Sequence, residues 1–197
     1  MPTRLANIGM DRTRWVSITS IMTALTLVGN YIVVSIPSVE LGTTVLFVTA
    51  YVFGYMMALW VTLIMSIIYG TINPWGGFIP QIWLSQVIGW LYVVAAGAIA
   101  GNGEDKRTAF GSKELGIIGI AVTIFFDVVT TIGYSITFAV PFILGLIGLI
   151  PFMVVHVISN AILFATVAPR LQKTIRDVFS SIIASKKDEV LLLEGEG

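Results

Sequence analysis

Charge is confined to a few places along this chain. All 11 Lys and Arg fall in residues 4–14, 106–113 or 170–187. Of the 11 Asp and Glu, only Glu40 and Asp127 lie within the apolar stretches. A soluble domain usually carries about 25% charged residues; here the figure is 11%, with 56% hydrophobic residues and a mean hydropathy of +0.94. That is too little polar surface to solvate a globule of 197 residues. The expected solvent is a lipid bilayer, and the expected product is one integral-membrane domain with no soluble domain attached. Zero net charge removes any bulk attraction to nucleic acid. The absence of cysteine excludes disulfides and thiol chemistry. The polar segment 1–14 leads into a run of full span length, which argues against a cleaved signal peptide.

A transmembrane helix needs about 20 apolar residues. Residues 15–34, 81–101, 115–139 and 146–168 each qualify. Pro37 closes the first span, and Asn73-Pro74-Trp75-Gly76-Gly77 marks a turn. The charge-free run 44–72 would make a single helix of about 43 Å, too long for a hydrocarbon core of about 30 Å without strong tilt. It is expected to be two short helices turning near Gly54. Orientation supports that choice. With six spans, every Lys and Arg lies on one side; with five, Arg4, Arg12 and Arg14 would oppose all the others. The expected fold is all-α, a bundle of six transmembrane helices over 15–168 in the cell membrane, with both termini cytoplasmic. The connections 35–43, 73–80 and 140–145 then lie outside, with Glu40 as their one charge. Leu171, Ile175, Val178, Phe179, Ile182 and Ile183 recur at helical spacing, so 169–187 reads as an amphipathic helix on the cytoplasmic surface. Residues 188–197 read as a disordered tail.

Few residues could carry chemistry. Gly101 to Thr108 lacks the spacing of a phosphate-binding loop, so any ATP hydrolysis belongs to another subunit. No HExxH, GxSxG or carboxylate cluster is present. The chain reads as neither an enzyme nor a cofactor or metal protein. Asp127 falls mid-span, where a charge costs at least about 2.5–3.5 kcal/mol and needs a partner or a cavity. Thr130, Thr131 and Tyr134 extend it into a polar stripe. The stripe is either a pocket wall or a hydrogen-bonded tie between helices. His156, the one histidine, has Ser159 and Asn160 beside it, with the same two readings open. Asn73, Trp75, Gln81 and Gln86 cluster at the external mouth, and Asn30 ends the first span; all are candidates for substrate contact. Ser17, Ser20 and Ala24 form a small-residue face on the first span, suited to packing within the chain or to docking another subunit.

Together these features resemble the substrate-binding S component of energy-coupling-factor (ECF) vitamin transporters. The likeness covers about residues 15–172. It rests on Asn73-Pro74-Trp75-Gly76-Gly77, on Phe126-Asp127-Val128-Val129-Thr130-Thr131-Ile132-Gly133, and on His156-Val157-Ile158-Ser159-Asn160 running to Ala168-Pro169. The resemblance implies a compact six-helix S-component fold that binds a vitamin or related micronutrient from outside. It implies as partners a coupling transmembrane subunit and two ATP-binding subunits, and delivery by tilting in the bilayer. The family docks its coupling subunit through Ala-x-x-x-Ala on the first helix; here the nearest match is Ser20-x-x-x-Ala24. The family's metal-transporting branch has a His-containing N-terminus, and Met1-Pro2-Thr3 departs from it. The competing expectation is a stand-alone secondary transporter or channel coupled through Asp127.

Overall fold

Gly54 divides the long apolar run. Its backbone sits at φ 91°, ψ 173°, a region that glycine reaches without steric cost. The computed structural model describes residues 12–73, 76–103 and 110–195, with side chains up to residue 178. Trp75 therefore lies outside the described residues. Six helices are present: α1 (Arg12–Tyr31), α2 (Gly42–Phe53), α3 (Tyr55–Thr71), α4 (Pro80–Gly103), α5 (Ser112–Phe138) and α6 (Phe142–Gly195). No strand occurs among the described residues. Three helical stretches are long and apolar enough to cross a membrane: Pro80–Asn102, Ser112–Phe138 and Phe142–Val178. Helices α2 and α3 are apolar but shorter.

The helices alternate in direction. Asn30 Oδ1 accepts from Gly42 N at 2.9 Å, and Tyr31 OH donates to the Ile72 carbonyl at 3.1 Å. These bonds bring the end of α1, the start of α2 and the end of α3 together, so α2 and α3 form a hairpin about Gly54. Trp83 Nε1 then donates to the Ser66 carbonyl at 3.1 Å, which ties the start of α4 to the last turns of α3. Gly133, late in α5, abuts Gln81 and Ser85, early in α4. Asn160 Nδ2 donates to Thr123 Oγ1 at 3.0 Å between α5 and α6. The connections 32–41, 72–79 and 139–141 thus share one end of the bundle. The first turn of α1, Gly54 and the α4–α5 connection share the other.

Helix α2 is buried along its whole length. A helix apolar all round has to be enclosed on every side, and α2 is the axis of the bundle. Its close fit to α4 depends on Gly97 and Gly101, one turn apart. A Cβ built on Gly97 would lie 2.5 Å from the Phe47 carbonyl oxygen, and one on Gly101 would collide with the Tyr51 carbonyl. Small residues at this spacing let two backbones approach. Two buried threonines bond within their own helices: Thr49 Oγ1 donates to the Val45 carbonyl and Thr62 Oγ1 to that of Ala58, at 2.7 and 2.8 Å. These two cost the interior no unmet donor, whereas the Thr44 hydroxyl is buried without a partner. The outer surface is apolar, with Ile21, Trp60, Ile67, Ile99, Ile117, Ile136, Ile158 and Ile162 all exposed.

The C-terminal part differs from its sequence-based expectation. One helix runs from Phe142 through Pro151 and Pro169 to Gly195, so no separate surface helix begins at 169 and residues 188–195 are helical. An interior proline costs about 3 kcal/mol. Docking of the following turns offsets that cost at Pro169. Gln172 and Ile175 are buried, Leu171 packs on the core, and the Arg176 guanidinium lies 5.5 Å from the centre of the Tyr51 ring. Leu171 and Ile175 of this segment thus cover the chain's own core, while Val178 is exposed. Beyond it, Ala184, Lys186, Lys187, Glu189 and Leu191 to Leu193 are good helix formers that propagate the established helix.

Gly101→Val is expected to lower stability by about 2 kcal/mol or more. Gly148→Ala, where an added Cβ meets nothing within 4 Å, should be neutral or slightly stabilising. Thermal unfolding of both variants in detergent checks the pair.

Candidate functional site

At the end of the bundle that carries the 32–41 connection, a cavity of about 250 Å³ opens between α1, α3, α5 and α6. Asn30 enters it from α1, Tyr69 from α3, Phe126, Asp127, Thr130 and Thr131 from α5, and Leu149, Phe152, Met153 and His156 from α6. Val34 and residues 36–40 close one side.

The polar centre of the cavity is one imidazole between two carboxylates. His156 Nδ1 lies 2.6 Å from Asp127 Oδ1, and Nε2 lies 3.3 Å from Glu40 Oε1. An ionised carboxylate only accepts, so both contacts are hydrogen bonds when the ring carries a proton on each nitrogen. The side chains of His156, Asp127 and Glu40 are 8%, 9% and 16% exposed. Thr43 donates a further short hydrogen bond to Glu40 Oε1. The Phe126 and His156 rings stand nearly perpendicular, ring centres 5.7 Å apart. Among the described residues no group of three His, Cys, Asp or Glu is arranged to hold a metal ion.

Glu40 reaches His156 because the connection is folded back over α6. Ser38 adopts φ 60°, a left-handed conformation that a non-glycine residue holds only when its surroundings impose it. A restraint comes from α6, where the Ser159 hydroxyl shares its proton between the His156 carbonyl at 3.0 Å and the Ser38 carbonyl at 3.2 Å. His156 and Ser159, one helical turn apart, therefore grip the same loop. On the α1 side, Leu41 N donates to the Gly29 carbonyl at 3.2 Å. Glu40, expected to be an exposed charge at the external face, is instead folded inward, where the loop geometry brings it to His156 and Thr43. Burial pushes its carboxyl up, but the contacts with His156 and the bond from Thr43 outweigh burial and hold it below the ordinary value of 4.5.

The structure brings some sequence candidates together and separates others. Asp127 and His156 pair directly, and Thr131 and Asn30 line the same cavity. Thr131 Oγ1 donates to the Asp127 carbonyl at 2.7 Å. Asn160 is fully buried below the cavity and bonds Thr123. Gln81 and Tyr134 are exposed, Gln86 is half-buried, and none of the three lines the cavity. Asn73 sits in the α3–α4 connection, away from the lining. Ser17, Ser20 and Ala24 face outward on α1 rather than into the bundle; the two serine hydroxyls donate to the Thr13 and Val16 carbonyls at 2.9 Å. Glu40, Tyr69, Phe126 and Phe152 were missed. Only Glu40 left a signal in the sequence, as a lone charge between apolar stretches; the aromatics resemble any other core residue.

Removing one member of a buried charge cluster costs about 3–5 kcal/mol, because its partners stay buried. His156→Ala, which strands two carboxylates, is expected to fall in that range. Asp127→Asn keeps the shape of the contact and should cost less. Melting curves of the two variants in the same detergent compare them directly. Because the Glu40 value is lowered on folding, its contribution is full above pH 4.5 and is lost as pH falls through the lowered value. Glu40→Gln should therefore flatten the acid side of a stability–pH profile.

No family model, no curated protein and no solved structure matches this chain.

Proposed function

We propose that this chain is the substrate-binding S component of an ECF-type importer, taking a vitamin or related micronutrient from outside the cell. The observation that carries the reading is the cavity around Glu40, His156 and Asp127. It lies at the end of the bundle whose connections contain no Lys or Arg. In this reading all six helices cross the cell membrane, both termini are cytoplasmic, and the cavity faces outward. The short α2 needs no lipid contact, since the other helices enclose it. A polar, partly aromatic pocket reached from one face suits a small binder. The outward Ser17, Ser20 and Ala24 face suits close docking of a coupling transmembrane subunit. Two separate ATP-binding subunits would supply hydrolysis, in keeping with the missing phosphate-binding loop. With Glu40 turned inward, tilting of the chain in the bilayer would drag no fully exposed charge of that face through lipid.

A second reading, a stand-alone secondary transporter or channel, is favoured by one feature: the run of three titratable groups from Glu40 through His156 to Asp127, the kind of chain that relays protons.

Mild detergent extraction followed by native mass spectrometry separates the two. The importer reading expects a retained small molecule together with copurifying ATPase subunits. Ser20→Leu should remove those subunits and keep the small molecule. A chain with neither ligand nor ATPase partner, which alone drives ion-coupled flux in liposomes that Asp127→Asn abolishes, would establish the second reading.

A further inference from the structure

The innermost polar wall of the cavity, on α5, offers hydrogen-bond acceptors. Asp127 Oδ2 is buried without a hydrogen-bond partner, while Oδ1 is engaged by His156. Thr131 Oγ1 gives its proton to the Asp127 carbonyl at 2.7 Å, and Thr130 Oγ1 gives its own to the Phe126 carbonyl at 3.0 Å. Each hydroxyl has only lone pairs left. Among its fully buried atoms the one unpartnered donor is Asn30 Nδ2, while the Tyr69 and Ser38 hydroxyls can donate or accept. Its orientation follows from Gly42, whose N–H requires the amide oxygen on the other side.

Charge points the same way. No lining residue is Lys or Arg. With both carboxyls ionised, the cavity carries one negative charge when His156 is protonated and two when it is neutral. Uncompensated charge in an apolar interior is costly, and an ion of opposite sign relieves it. The other walls are aromatic: Tyr69, Phe126 and Phe152. Trp90 backs the first two, at 6.0 Å from Tyr69 and 5.8 Å from Phe126 between ring centres. Ring faces of this kind attract cations. The volume of about 250 Å³ equals roughly eight water molecules at about 30 Å³ each, room for one ring system and short substituents.

We infer that the cavity selects a small, cationic, ring-containing compound, whose charged donor meets the free Asp127 oxygen and whose ring lies among Tyr69, Phe126 and Phe152. The inference deepens the substrate-binding reading and rests on it for the cavity's role. It predicts discrimination by charge at constant shape.

Benzamidinium, benzamide and benzoate are a near-isosteric cation, neutral and anion series. Titrated into the dialysed, detergent-purified chain by calorimetry, benzamidinium should bind saturably and at least tenfold tighter than benzamide, with benzoate weakest. Asp127→Asn should bring benzamidinium down to the level of benzamide. Asn30→Asp keeps the acceptor for Gly42, adds a charge to the wall, and should tighten benzamidinium severalfold. Binding of benzoate as tight as that of benzamidinium, absence of saturable benzamidinium binding, or a preference unchanged in Asp127→Asn would overturn the inference. Should Asp127→Asn not fold, unchanged or weaker benzamidinium binding in Asn30→Asp overturns it instead. The titration needs no partner subunit and no transport. Its failure leaves the importer reading standing, and missing ATPase partners leave the charge preference standing.

Discussion

One imidazole holds three separate parts of this molecule together. His156 on α6 binds Asp127 on α5 with one nitrogen and Glu40 in the α1–α2 connection with the other. In an apolar interior each of these groups alone would be expensive. Together they compensate one another over two short contacts, and the cluster becomes a structural fixed point. The connection that carries Glu40 folds inward, Ser38 accepts a left-handed backbone, and the cavity gains a wall it would otherwise lack. The compensation is incomplete: the second Asp127 oxygen has no partner. The same cluster thus stabilises the fold and leaves an open valence toward the cavity.

The rest of the architecture makes that cluster possible. Helix α2 lies at the axis, enclosed along its length, and brings Thr43 to Glu40 at its first turn. Its neighbours come close because glycines face it: Gly97 and Gly101 place α4 against the α2 backbone with no side chain between them. Where lipid removes most of the hydrophobic drive between helices, such close approach and internal hydrogen bonding supply the attraction. The apolar outer surface and the polar inner cavity invert the arrangement of a soluble protein.

Local chemistry made part of this legible in the sequence. Gly54 was readable as a turn because an unbroken helix over 44–72 would overrun the bilayer core. Asp127 and His156 stood out because an ionisable group in an apolar run needs a partner, but nothing in the sequence derived that they would meet each other. Thr131 followed from its place on the polar stripe of Asp127, and Asn30 from its position at the end of the first span. Gln81, Gln86 and Tyr134 were equally polar, yet their places on α4 and α5 lie away from the cavity, and Asn73 stays in the α3–α4 connection. Pro169 looked like a helix end because local rules count the lost hydrogen bond. They cannot count the docking of Gln172, Ile175 and Arg176 that offsets it.

The sequence by itself determined the solvent, the helical class, the division at Gly54 and the segregation of basic residues, since each depends only on composition and order along the chain. Only the tertiary structure decided that Glu40 turns inward, that α2 is the axis of the bundle and that α6 continues past Pro169. Those outcomes rest on contacts between residues far apart in sequence. The Glu40–His156 pair is separated by 116 positions, and no local pattern encodes which of the available partners a lone carboxylate will meet.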